Sequence, residues 1–275
     1  MVWKLKAKAF KIERPLIMGI LNLTPDSFSD GGKFLNPDEA LKRALELVAQ
    51  GADIIDIGAE STRPGAKPVS FEEEKERLFP ALDEILKEIR IPVSLDTTKS
   101  KIAKLGLERG VSIVNDVSGL KSDPDMAQVV REYEAGVVLM HRRGTAETMQ
   151  SFTHYNSLID DILDELAESI RIAEKSGISF EQIAIDPGLG FSKTPEQNFE
   201  IIKSLPRFKQ FKRPIVFGAS RKSFLRNLTG ERPEDRINAS TAIAALAVER
   251  GADILRVHDV QATRDAILMT KEIIQ

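Results

Sequence analysis

Short apolar runs rich in Ile and Val recur along the chain, with polar residues at or just beyond their ends, each followed by a loop and an amphipathic stretch. They occupy 16–22, 54–58, 93–96, 113–117, 137–141, 183–186, 215–218 and 254–257. Near-continuous apolar character predicts strands buried on both faces, as in a parallel sheet flanked by helices. The intervening stretches carry the helical period: within 37–50, Ala40, Leu41, Ala44, Leu45 and Val48 form one stripe. Gly51, Gly110, Gly136, Gly177 and Gly251 follow such stretches, where a left-handed helix C-cap favours glycine. Segments 49–54 and 249–254 share Gly-Ala-Asp-Ile, either a repeated helix-to-strand joint or a coincidence of two short peptides.

Eight strand–helix units in 275 residues predict an α/β protein of the (β/α)8 type, a TIM barrel, for which about 250 residues is typical. A doubly wound sheet is the alternative, but the first strand runs into Asn22-Leu23-Thr24-Pro25-Asp26-Ser27-Phe28 and not into a Gly-x-Gly-x-x-Gly turn. No linker-like composition divides the chain, which predicts one domain over 1–275. The segment before Leu16 reads as a short hairpin or arm over the barrel floor.

Composition narrows the chemistry. Lys and Arg number 39 against 42 Asp and Glu, a net charge of −3, and no basic block is long enough to track a nucleic acid. The absence of cysteine excludes disulfides, thiolate nucleophiles, zinc–thiolate sites and iron–sulfur clusters. With three histidines, His141, His154 and His258, a metal is expected to be a hard cation on oxygen ligands, Mg2+ first. No leader-like or membrane-length apolar run occurs, so the expected location is the cytoplasm, with no membrane partner.

A barrel carries its active site at the C-terminal ends of its strands. There the chain places Asn22, Glu60 to Arg63, Asp96, Asn115 and Asp116, Met140 and His141, Asp186, Ser220 to Ser223, and Arg256 and His258. Singly, each could be a turn former or helix cap; polar groups after all the strands point to one binding mouth. Asp96, Asn115 and Asp186 suit a flat heterocycle with an amidine-like edge, because a carboxylate accepts two parallel N–H bonds. Arg63, Lys222, Arg256 and His258 suit a phosphate or pyrophosphate, with ion pairing at the surface as the plainer reading of any one of them. Phe28 and Phe191 either line an aromatic slot or simply pack. A Schiff-base role for Lys222 would require a neutral buried amine, which the proposed anion beside it disfavours.

These residues lie in long ordered motifs. They are Leu21-Asn22-Leu23-Thr24-Pro25-Asp26-Ser27-Phe28-Ser29-Asp30-Gly31-Gly32, the stretch Gly51 to Gly65 ending Glu60-Ser61-Thr62-Arg63-Pro64-Gly65, Asp186-Pro187-Gly188-Leu189-Gly190-Phe191, Ser220-Arg221-Lys222-Ser223 and Arg256-Val257-His258-Asp259. Over essentially its whole length the chain resembles the dihydropteroate synthases, the folate-pathway enzymes that sulfonamides inhibit. The resemblance implies condensation of 6-hydroxymethyl-7,8-dihydropterin diphosphate with p-aminobenzoate, releasing pyrophosphate. It implies pterin contacts from Asp96, Asn115, Asp186 and Lys222 with Met140 on the ring, and Mg2+ on Asn22. Arg63, Arg256 and His258 would bind diphosphate oxygens. Thr62, Arg63, Pro64, Phe28, Phe191, Lys222 and Ser223 would shape the p-aminobenzoate site, Thr62 also lying along the diphosphate. Asp30 is expected to stabilise a developing pterin cation.

Two departures stand in the loop after Met140: Ala146 replaces a frequent proline, and Arg142-Arg143 are unusually basic. A pterin barrel that presents methyltetrahydrofolate for methyl transfer would share the pterin residues but has no use for Arg63, Arg256 and His258. A catalytically silent paralogue would be expected to lack Asn22, Arg63 or Lys222, and all three are present. The resemblance also implies a homodimer, with the small apolar stretch 239–248 either meeting a partner or packing on the barrel.

Overall fold

A computed structural model describes residues 1–6, 8–24 and 36–274. Strands β1 (Val2–Leu5) and β2 (Lys8–Lys11) form an antiparallel hairpin with Trp3 opposite Phe10. Eight parallel strands follow: β3 (Leu16–Asn22), β4 (Ile54–Gly58), β5 (Val93–Asp96), β6 (Ile113–Asp116), β7 (Gly136–Met140), β8 (Ile183–Asp186), β9 (Val216–Phe217) and β10 (Ile254–Val257). They run β8-β7-β6-β5-β4-β3-β10-β9, and a parallel bridge between Ile185 and Ile215 brings β8 to β9, closing the ring. This is the (β/α)8 barrel expected from the sequence, and its uninterrupted neighbour order sets aside the doubly wound alternative.

Helices α1 (Pro37–Ala49), α2 (Phe71–Glu88), α3 (Ser100–Arg109), α4 (Met126–Glu132), α5 (Leu158–Lys175), α6 (Pro195–Lys203), α7 (Arg226–Thr229), α8 (Ile237–Glu249) and α9 (Val260–Ile274) alternate with the strands. Local chemistry sets several boundaries. Asn36 caps α1 by accepting from the Asp38 N–H, with Pro37 in the first turn; Thr194 and Gln197 form a capping box on α6. Strand β6 stops one residue short of the predicted run because the Asp116 carboxylate accepts from the Ser118 and Leu120 N–H groups and turns the chain out of the sheet.

The helix stripe and one glycine differ from expectation. Leu45 is 44% exposed, while Leu47 is fully buried, so the buried face of α1 is Ala40, Ala44 and Leu47. Gly51, Gly110, Gly177 and Gly251 take positive φ, but Gly136 does not; Glu134 takes the left-handed conformation before it. Gly136 opens β7, where an added Cβ would lie 2.5 Å from Leu5 Cδ2. Its small size lets the hairpin close onto the barrel floor, as the sequence led us to expect.

Side chains alternate across each strand. One set packs outward against the helices in the main core, including Ile17, Ile55, Val114, Leu139, Ile185 and Leu255. The other set points inward: Leu16, Met18, Ile54, Ile113, Val138, Ala184, Val216 and Ile254 pack with Trp3, Leu5 and Ile12 of the hairpin to plug the floor. Trp3 is fully buried, and its indole N–H donates to the Gln182 carbonyl at 2.8 Å. The next inward positions, two residues further along the strands, are Asp56, Asn115, Met140, Asp186 and Arg256. The alternation that fills the floor with hydrocarbon therefore delivers ionisable groups to the mouth.

Candidate active site

Arg256 reaches from β10 across the barrel to two carboxylates. Its Nε donates to Asp56 Oδ2 at 2.6 Å and its Nη2 to Asp96 Oδ2 at 2.7 Å, and Asn115 Nδ2 donates to the same Asp56 oxygen at 3.1 Å. Burial opposes the guanidinium charge, but Asp56 and Asp96 outweigh it and raise the Arg256 pKa. Burial raises the Asp96 pKa, with Arg256 pulling against it. The second oxygens, Asp56 Oδ1 and Asp96 Oδ1, are buried with no hydrogen-bond partner. A buried acceptor without a donor is costly, so these atoms mark where N–H groups of a ligand are wanted.

A second group sits across the mouth. Asp186 ends β8, and its Oδ1 accepts from the Gly188 N–H at 2.7 Å; burial raises its pKa against the pull of Lys222. Lys222 donates to the Leu189 carbonyl, and its Nζ lies 4.7 Å from the centre of the Phe191 ring. Burial lowers the Lys222 pKa to about 8, with Asp186 opposing, which keeps it mostly cationic at neutral pH. Phe191 packs with Met140, Val117 and Met149 in a small apolar cluster at the mouth. The coil carrying Phe191 is tight: Gly188 has φ 72°, and a Cβ there would overlap the His141 carbonyl oxygen at 1.9 Å.

His258 belongs to the rim set as a donor, not as a cation. Burial, reinforced by Arg256 and Arg221, lowers its pKa to about 3, so it is a neutral donor or acceptor at pH 7. Its Nδ1 is 3.1 Å from Ser220 Oγ, which also accepts from the His258 backbone N–H. Arg63 is exposed, with its charge felt at His258; Thr62 is half-buried, and Pro64 and Ser223 are exposed. The Gly65 N–H donates to the Ala146 carbonyl at 2.9 Å, joining the loops after β4 and β7. Asn22 ends β3 opposite Gly58, half-buried. Phe28 and Asp30 lie outside the described residues.

Some polar strand-end residues serve the scaffold. Asp116 is committed to its own turn, and Arg221 pairs with Asp259. Glu60 accepts from the Val69 N–H and from Lys99, which also reaches Glu74. His141 turns outward to Glu165, 3.1 Å from its Oε2. Sequence reasoning missed Asp56, which stood inside an apolar run; period-two counting from Ile54 would have turned it inward. It noted Arg142 only as an unusually basic loop residue; Arg142 lies on the same inward phase as Val138 and Met140, its Nε is buried without a partner, and burial lowers its pKa against the pull of Asp116, Asp96 and Glu60.

Carboxylates, an amide and cations around the mouth of a parallel barrel define a site for a flat, polar, anionic substrate. The chain matches the family of pterin-binding enzymes over residues 18–258, and it belongs to that family. More particularly, it is 45% identical over 274 residues to the dihydropteroate synthase of Clostridium beijerinckii, covering 99% of each chain. The Yersinia pestis dihydropteroate synthase, solved in a sulfonamide drug complex, superposes with a TM-score of 0.94 at 35% identity, covering 99% of both chains. The Xanthomonas albilineans dihydropteroate synthase, solved with 4-aminobenzoic acid, superposes at 0.92 with 38% identity, covering 99% of this chain and 97% of that one. The activity of this chain is accordingly a transferase reaction, dihydropteroate synthesis, and the methyl-transfer and silent-paralogue readings fall away.

Proposed function

We propose that the barrel mouth joins 6-hydroxymethyl-7,8-dihydropterin diphosphate to p-aminobenzoate through the following division of labour. The amidine-like edge of the pterin donates to Asp96 and Asp186, Asn115 holds a further ring edge, and Met140 packs on the ring face. Lys222 donates to a ring acceptor. The observation that carries this reading is the unpartnered pair Asp56 Oδ1 and Asp96 Oδ1, buried beside Asn115 and aligned by Arg256. Pterin N–H groups would satisfy acceptors that the fold leaves unsatisfied.

The diphosphate lies toward Arg63, Arg256, neutral His258 and Thr62. Positive charge there favours departure of pyrophosphate, so the C–O bond at the exocyclic methylene breaks while the ring delocalises the developing cation, which Asp30 stabilises. The neutral aromatic amine then forms the C–N bond and loses its proton afterwards. Phe28, Phe191, Thr62, Arg63, Pro64, Lys222 and Ser223 form the p-aminobenzoate pocket, where sulfonamides compete.

Among the described residues no cluster of three or more His, Asp or Glu side chains could cage a metal. The donor set fits Mg2+ in another way: the Asn22 carboxamide oxygen is a hard ligand, suited to an ion that arrives with substrate phosphates and keeps its waters. Bound there, Mg2+ would neutralise charge on the leaving pyrophosphate.

Residues 1–275 would act as one cytoplasmic domain; no described helix is long and apolar enough to cross a membrane. We further propose a homodimer through α8 and α9, where Leu246, Leu268 and Met269 are 49%, 53% and 62% exposed on adjoining helices. Sedimentation of wild type against Leu246→Arg tests this, a monomer in both overturning it.

The deciding assay is pyrophosphate release with Mg2+ and dihydropterin diphosphate, with and without p-aminobenzoate. Release dependent on both substrates, lost in Asp96→Asn together with pterin binding, is expected. Asp96→Asn that binds the pterin as tightly as wild type would overturn the pocket assignment.

A further inference from the structure

Lys193 is one of the most deeply buried charged side chains among the described residues, 3% exposed, and it lies two residues beyond the motif that ends in Phe191. Its Nζ donates to the Phe191 carbonyl at 2.9 Å and lies 2.9 Å from His141 Nδ1. The ionised Glu165 carboxylate can only accept, so the imidazole proton sits on Nε2, where it donates to Glu165 Oε2, and Nδ1 is left to accept from Nζ. Burial and the nearby Lys193 lower the His141 pKa to about 3, in keeping with a neutral ring.

The contacts continue back to the same coil. Glu165 Oε1 accepts from Arg143 Nε at 2.8 Å, and Arg143 stacks 4.0 Å from the centre of the Tyr155 ring. Tyr155 donates its hydroxyl to the Ser192 carbonyl at 3.0 Å, and the Arg143 N–H donates to Ser192 Oγ at 3.0 Å. Ser192 itself has φ 49°, a conformation that side chains rarely adopt. No carboxylate forms an ion pair with Lys193 among the described residues; burial lowers its pKa to about 7, with Asp186 and Glu165 opposing and Lys222 and Arg143 adding to the fall. Packing alone would be served as well by an apolar side chain of the same volume. A buried Nζ held by neutral acceptors, a donor in either charge state, instead supplies directed hydrogen bonds to two loops at once.

We propose that Lys193 is a positioning residue for the second substrate: it clasps the Phe191 carbonyl to the His141 ring and thereby holds the Phe191 wall of the p-aminobenzoate pocket against Met140 and Lys222. This rests on the assignment of Phe191 to that pocket. Lys222 grips the Leu189 carbonyl of the same coil, so the aromatic side chain is presented between two lysine-held peptide groups.

Steady-state kinetics of wild type, Lys193→Met and Phe191→Ala test the clasp, with 15N spectra of the His141 ring as a second readout. In Lys193→Met the KM for p-aminobenzoate should rise about tenfold while that for dihydropterin diphosphate stays within about twofold. Wild-type spectra should show the proton on Nε2, with tautomer exchange appearing in the variant. An unmoved KM in Lys193→Met, beside a raised one in Phe191→Ala, overturns the clasp. A parallel rise in both KM values with a lowered Tm also overturns it, reducing Lys193 to a structural prop. An unmoved KM in Phe191→Ala strikes the pocket assignment instead. A wild-type proton on Nδ1 overturns the clasp even if Lys193→Met fails to fold.

Discussion

The floor and the mouth of the barrel are made by inward side chains of the same strands, and they treat burial in opposite ways. At the floor, Leu16, Ile54, Ile113, Val138, Ala184, Val216 and Ile254 close on one another, and Trp3 covers them with its single polar atom bonded. Two residues along, Asp56, Asn115, Asp186 and Arg256 are also largely removed from water, yet Asp56 and Asp96 each keep an oxygen without a donor. Hydrocarbon at the floor contributes to stability. The mouth gives part of that contribution back, and the cost is tolerable because the floor and outer core carry the fold.

Breaking the mouth should show this most strongly. Arg256→Met strands two buried carboxylates, so kcat/KM should fall about a thousandfold and stability by about 3–5 kcal/mol, read by pyrophosphate release and urea unfolding. Retained activity would mean that the carboxylates reorganise without their arginine. At the floor, Trp3→Ala should cost a similar 3–5 kcal/mol or so and leave kcat/KM of the folded fraction within about threefold. A large fall in kcat/KM would show that floor and mouth are coupled.

The charge of Lys222 sharpens the contrast through pH. Its folded-state pKa, about 8, lies below the unfolded value of a lysine, so the ammonium is lost early in the native protein. Activity that needs the cation should fall as pH rises through about 8, by about tenfold per unit, while stability rises toward the unfolded lysine pKa, because the unfolded state then binds the extra proton. Lys222→Met should lack that limb of the pH–rate profile, and a limb that persists would assign it elsewhere. The smallest effect is expected from Ala146→Pro: its N–H enters no backbone hydrogen bond among the described residues, so stability should change by about 1 kcal/mol or less. A large loss of kcat/KM would mean that the loop bonded to Gly65 must move during turnover.

The architecture was legible because parallel strands buried on both faces write themselves as apolar runs, and five of the eight have the expected limits. The position of Asp96, Asn115, Asp186 and Lys222 at the mouth was legible because the ends of parallel apolar runs fall at one rim of a barrel. Asp56 was missed because one carboxylate inside Ile54-Ile55-Asp56-Ile57 does not interrupt the hydrophobic signal, although its inward phase makes it the hub of the mouth. The charge state of His258 was not legible in sequence, because it depends on burial among arginines that folding brings together, and that burial makes it neutral. Gly136 was assigned to a helix cap because its role depends on Leu5, a contact made through folding and invisible to local pattern.

Arg256 lies 200 residues from Asp56 and 160 from Asp96. A ribosome emitting this chain completes the carboxylate half of the pocket long before it emits the arginine that aligns it. Until β10 docks, Asp56 and Asp96 lack the guanidinium that bonds both, and Arg142 and Lys222 are cations whose charge reaches Asp96. The group that aligns the two carboxylates thus arrives with the last strand of the barrel.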